Sequence, residues 1–165
     1  MNSIRQILGF ATVILLGALV GAGGYESVVM APNYAADIPN SLEHARLFMR
    51  ATNPGNFFRV LAPGTQLALL VSVIIFWRIR PARWWYVAAL VLLLSVDVIT
   101  FTFHYPRNEL LFHSPMTQPV AQLTAAAHEW ATGNVFRIGL LLASAIAASI
   151  GLRSALVRVR DSSSA

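Results

Sequence analysis

The chain has no cysteine, no lysine and few charges of either sign. Without cysteine there is no disulfide, no thiolate ligand for a metal and no thiol nucleophile, and the redox compartment stays undecided. Charged residues make up 12% of the sequence, against roughly 25% in a soluble globule. No GxSxG, P-loop or HExxH signature occurs, so motif-driven hydrolase, nucleotide-binding and zincin chemistry have no support. What is present is apolar. Hydrophobic residues reach 56% of a 165-residue chain with a mean hydropathy of +0.62, which is the size of one domain and the composition of a membrane protein.

Four apolar runs, at about 7–24, 60–77, 84–103 and 135–152, are each near the roughly 20 residues that cross a hydrocarbon core. Pro63 and Gly64 fall at the start of the second run, where a helix tolerates them. The reading is an all-α integral membrane four-helix bundle in a single membrane domain. Arg5, the first run and "VGAGG" also match a secretory signal. An uncleaved first helix is the expectation, because a cleavage pattern is easily matched by chance.

The net charge of +5 comes from 12 basic residues, all arginine, against 7 acidic ones. In a soluble protein that excess would suggest nucleic acid; here the arginines flank apolar runs, and no nucleic-acid partner is expected. Arg5, then Arg78, Arg80 and Arg83, then Arg153, Arg158 and Arg160 share one side, while Glu26, Asp37, Glu43, Glu109 and Glu129 fall on the other. The positive-inside rule places both termini and the "RIRPAR" turn in the cytoplasm and both long connections outside. Trp77, Trp84, Trp85 and Tyr86 beside that turn fit an interfacial aromatic belt.

Long connections in a compact domain usually carry structure of their own. In the first, Asn40 with Glu43 resembles a capping box, Pro54-Gly55 is a stop, and Leu42, Ala45, Phe48 and Met49 share a face. A short amphipathic helix on the outer interface is expected there. In the second, Pro119 suits a first helical turn and alanines carry the helix toward Gly133, from where it either ends or continues, kinked, into the fourth span. The tail 158–165 reads as disordered.

Helical spacing groups the polar residues, since positions three, four and seven apart share a face. Asp97 and His104 align on the third helix; Asn56, Arg59 and Gln66 on the second; Trp130, Asn134 and Arg137 on the fourth. Glu26, with Tyr25 beside it, closes the first. All lie toward the outer side, which predicts a polar pocket open to that side and walled by Phe57, Phe58, Phe101, Phe103 and Trp130. Ionisable groups within a bilayer normally face the interior, pair with one another and mark function. The competing reading is a structural ion pair of Asp97 with Arg59 or Arg137. Glu26, Asp97 and His104 are also the ligand types of a non-haem iron triad, and His44 or His104 would be the histidine for a haem. Without a cofactor the same set suits acid–base chemistry: a carboxylate or His104 takes a proton and Arg59 or Arg137 stabilises the anion. Asn134, Gln66, Trp130, Asn56 and Tyr25 would contact a lipophilic small molecule, as an apolar bundle with a few placed polar groups would. "GALVGAGG" and "ASAIAASIG" offer small-residue packing within the bundle or between copies of a homo-oligomer. The competing class is a transport, structural or partner-binding membrane protein.

The "GGYESVVMAPNY" end of the first helix and "EWATGNVFRIG", with its W-x3-N-x2-R pattern at Trp130, Asn134 and Arg137, resemble the anthrone oxygenase-like family of small integral membrane proteins. The resemblance implies oxygenation of polycyclic phenolic anthrones to quinones with no added cofactor. A second likeness, through Asp97 and "HYPRNELLF", is similar to the styrene oxide isomerases; it implies an oligomer using haem as a Lewis acid, with His44 nearest the ligand position.

Overall fold

A computed structural model describes residues 3–163, with side chains through Arg158. The long helices are α1 (Ser3–Tyr25), α4 (Pro54–Ile75), α5 (Arg80–Ile99) and α7 (Val120–Ser163). Between them lie α2 (Ala31–Ala35), α3 (Asn40–Phe48) and α6 (Tyr105–Asn108). Three wide π-type turns, Glu26–Met30, Thr100–His104 and Glu109–His113, join these pieces into longer rods. Four helical stretches are long and apolar enough to cross a membrane: Ser3–Ala35, Pro54–Ile75, Arg80–His113 and Val120–Arg158. The protein is therefore an all-α integral membrane four-helix bundle.

The helices pack in a closed ring, with α1 against α4 and α7, and α5 against α4 and α7. The α5–α7 seam is the tightest because it is made of small residues: Ala89, Ala147 and Ala148 are buried in it, and Ser144 donates to the Ala89 carbonyl at 2.8 Å. Across α1 and α4, the Thr12 and Ser72 hydroxyls bond at 3.0 Å. The phenol of Tyr86 stacks on Phe76 with ring centroids 5.0 Å apart and lies against the backbone of Gly9.

Rod length explains the next level of organisation. At 1.5 Å per residue, the 34 residues of Arg80–His113 extend about 50 Å, well beyond a hydrocarbon core of about 30 Å. The 22 residues of α4 reach only about 33 Å. Three rods thus rise past the start of α4, and their projecting ends form a cap with its own core of Tyr34, Leu42, Leu111, Leu123, Ala127 and Trp130. Arg46 of α3 ties this cap together: its guanidinium donates to the carbonyls of Leu111 at 2.7 Å, Ser114 at 2.7 Å and Leu110 at 3.3 Å. Those carbonyls end a helix and have no partner within it.

Several local expectations change. α3 occupies the expected place, but no side chain caps it; Asn40 instead donates to Asp37 at 3.1 Å and Ser41 to the Tyr34 carbonyl at 2.8 Å. Of the face expected on the interface, Leu42 is buried in the cap and Phe48 is 80% exposed. The helix expected after Pro119 runs unbroken through Gly133 into the fourth span and on to Ser163. The tail expected as disorder over 158–165 thus begins inside a helix, since each residue added to an existing helix closes one more bond; its last two residues lie outside the described ones.

Gly133 does not end the helix. A Cβ there would sit 2.3 Å from Cε1 of Phe103, whose ring lies 3.5 Å under the Arg107 guanidinium. Arg107 in turn bridges to Glu129 at 2.6 Å. Gly133→Ala is expected to destabilise the protein by about 1–3 kcal/mol through overpacking. Gly139→Ala, where nothing lies within 4 Å of the added carbon, should be neutral or stabilising by up to about 1 kcal/mol. Thermal unfolding of both variants in mild detergent measures the contrast.

Candidate active site

The wide turn after α1 brings Glu26 and Ser27 to α7, where Asn134 and Arg137 lie one turn apart. Arg137 Nη2 is 3.1 Å from Glu26 Oε2, and the two side chains are 10% and 14% exposed. Asn134 Nδ2 donates to Ser27 Oγ at 2.6 Å. The guanidinium is boxed by rings, with Phe58 at 5.6 Å and Trp130 at 5.9 Å from its carbon. A buried charge pair of this kind persists only with good geometry and further hydrogen bonds.

Trp130 is the hub of the region. Its Nε1 donates to Asn108 Oδ1 at 2.7 Å, and its ring meets those of His104 at 5.3 Å and Tyr34 at 6.0 Å edge to face. Around this indole, buried polar atoms remain unmatched among the described residues: Tyr34 Oη, Asn134 Oδ1 and both His104 ring nitrogens. The Gly133 backbone is beside the imidazole, but no hydrogen bond of normal geometry closes on either nitrogen. Unmatched buried polar groups are costly and uncommon. Here they cluster beside a buried ion pair, where a bound molecule could use them.

The cap core covers the outer end, and an open groove of about 260 Å³ lies between α1 and α4, lined by Ala22, Tyr25, Glu26, Pro54, Phe57 and Phe58. Glu26, one member of the ion pair, is among the residues that line it. Of the polar residues expected around one pocket, Glu26 and Tyr25 line this groove. Phe57 and Phe58 line it as expected. Phe101 does not: it is 60% exposed and packs on Tyr105.

The other expected site residues fall elsewhere. Tyr25 borders the groove. Arg59 is exposed and has no ion-pair partner among the described residues. Asn56 is exposed and donates locally to Thr52 at 3.1 Å. Asp97 meets neither arginine; its partner is Gln66, whose amide donates to it across α4 and α5. Nor does Asp97 share a surroundings with His104. The π turn over Thr100–His104 is wider than an α turn and shifts the phase of the helix, so His104 is buried toward α7 while Asp97 is only partly covered. Among the described residues no three of His, Cys, Asp and Glu gather as metal ligands, so Glu26, Asp97 and His104 do not form a triad. His44 is exposed on α3. Ser27, Tyr34 and Asn108 were not singled out in the sequence; only the "GYES" and "APNY" stretches hinted at the first two.

The family model for anthrone oxygenase matches residues 48–147, more than half of the chain. It takes in α4, α5, the rods that carry His104 and Asn108, and the Trp130–Arg137 stretch of α7. No curated protein and no solved structure matches.

Proposed function

The chain belongs to the anthrone oxygenase family, and from that premise we propose that it oxygenates an apolar, phenol-bearing tricyclic ketone that reaches Glu26 through the lateral groove. The observation that carries this reading is a buried Glu26–Arg137 pair whose Glu26 borders an apolar groove. The methylene of an anthrone is acidic because its anion is aromatic. Glu26 takes that proton, and Arg137, released from the carboxylate, holds the oxygen of the anion. A neutral pair plus a neutral substrate becomes a neutral acid plus a new ion pair, so no charge is left uncompensated in the bundle at this step. Dioxygen adds at the deprotonated carbon to give a hydroperoxide. Loss of water then leaves the second carbonyl, so one oxygen atom enters the product and the other leaves as water with the two methylene hydrogens. The unmatched polar atoms of Tyr34 and His104 supply hydrogen bonds to the incoming oxygen atoms.

Orientation follows from the arginines. Arg5, Arg78, Arg80, Arg83 and Arg153 lie toward the bundle end opposite the cap, which by the positive-inside rule faces the cytoplasm together with both termini. The cap and its long connections then lie on the outer side.

Protein reconstituted in liposomes with an anthrone is expected to consume one dioxygen per quinone formed. Glu26→Gln should lower the rate by at least about 100-fold, the usual contribution of a general base. An unchanged rate in Glu26→Gln would remove Glu26 from the chemistry, and no oxygen uptake by the unmodified protein with any anthrone would overturn the reading.

A further inference from the structure

Asp97 is an acidic side chain midway along a span that neither the ion pair nor the cap absorbs. It sits midway along Arg80–His113, on the outer flank of the α4–α5 seam, and Gln66 of α4 is its hydrogen-bond partner. Around the pair the surface is apolar and open: Leu67 is 62% exposed, Leu94 46% and Val98 60%. A carboxyl group with no cation beside it is costly against lipid tails, and such groups normally pair or face a protein surface. One hydrogen bond to Gln66 leaves much of that cost in place. The Gln66 amide keeps a second N–H and its carbonyl free, and Asp97 keeps its other oxygen free.

We propose that the α4–α5 seam is the interface of a homodimer, in which Asp97 and Gln66 of one copy bond reciprocally with Gln66 and Asp97 of a second copy. Three observations favour a second copy over any other occupant. First, all copies of one chain insert in the same direction, so a two-fold axis between them runs along the membrane normal and matches residues of equal depth. Asp97 and Gln66 are at equal depth, since they already touch. Second, the pair is self-complementary: the free N–H of each Gln66 matches the free Asp97 oxygen of the other copy, which closes a ring of four hydrogen bonds. Polar side chains of this kind act as glue between membrane helices. Third, Leu67, Leu94 and Val98 flank the pair with exposed apolar side chains, which a like surface can cover. The interface lies across the bundle from the α1–α7 seam and does not depend on what the groove binds.

The absence of cysteine makes the test direct. Leu67→Cys, Leu94→Cys and Val98→Cys, each alone, are oxidised in native membranes. Ile14→Cys on α1 and Ile146→Cys on α7, exposed elsewhere on the bundle, serve as controls. A disulfide needs Cα atoms within about 7 Å, so at least one of the three seam positions should give a dimer band at several times the yield of either control. Combining that cysteine with Asp97→Leu should weaken association about tenfold, the loss of roughly two interhelical hydrogen bonds. Equal yields at seam and control positions would overturn the proposal. So would crosslinking that is unchanged by Asp97→Leu, or native mass spectrometry from nanodiscs showing a monomer only.

Discussion

Glu26→Gln and Arg137→Gln, made singly, are each expected to lower the unfolding free energy by about 3–5 kcal/mol, and the double variant by much less. The reason is asymmetry. The pair is 3.1 Å apart with both side chains at least 86% covered, so removing one partner leaves the other buried and uncompensated. Removing both leaves two neutral amides that can bond to each other. Unfolding of the four proteins in one detergent closes a double-mutant cycle, and a coupling of several kcal/mol is the expected result. Strictly additive single effects would mean that each charge finds water on its own and that the contact is incidental. The same four proteins separate stability from chemistry. On the proposed chemistry, the double variant should be folded and without turnover, because neither the proposed base nor its proposed anion partner is left.

Trp130→Ala is the second large effect, at about 3–5 kcal/mol for a buried aromatic truncated to alanine. The indole is 2% exposed and joins three regions at once: the cap through Tyr34, the α5 rod through His104 and Asn108, and the ion pair through Arg137. Trp130→Phe keeps most of the packing and loses only the bond to Asn108, so about 1–3 kcal/mol is expected for the acceptor left unmatched. Thermal unfolding gives both numbers. A Trp130→Phe loss as large as that of Trp130→Ala would mean that the Asn108 bond, not the packing, holds the hub together.

The spans were legible in the sequence because lipid imposes one simple requirement, a long apolar run, and four runs meet it. Their ends were not. The stretches Glu26–Met30 and Tyr105–His113 look like loops, yet wide turns keep them on the same rods as the spans. The same turns broke the assignment of faces. A count of seven residues aligns Asp97 with His104 only while every turn has 3.6 residues, and the π turn at Thr100–His104 ends that regularity. Glu26 and Arg137 could each be singled out as ionisable groups in an apolar chain. Their pairing across 111 positions is a tertiary fact that no local pattern carries. Tyr34 was overlooked for a related reason: its ring partners, Phe112 and Trp130, lie far along the chain, and a tyrosine after "APN" reads as a connection. The small-residue run "ASAIAASIG" was more informative, since close helix packing needs small side chains, and it lies in the α5–α7 seam.

The short α4 has a consequence for supply. On the proposed reading, a groove between α1 and the start of α4, beside Pro54 and Phe57, would make the bilayer, not the surrounding water, the reservoir from which the site fills and into which it empties. A poorly soluble aromatic is already concentrated there by partitioning, and it searches for the groove in two dimensions. The quantity that sets occupancy is then the mole fraction of substrate among the lipids, and adding lipid dilutes the substrate even when its total amount is unchanged.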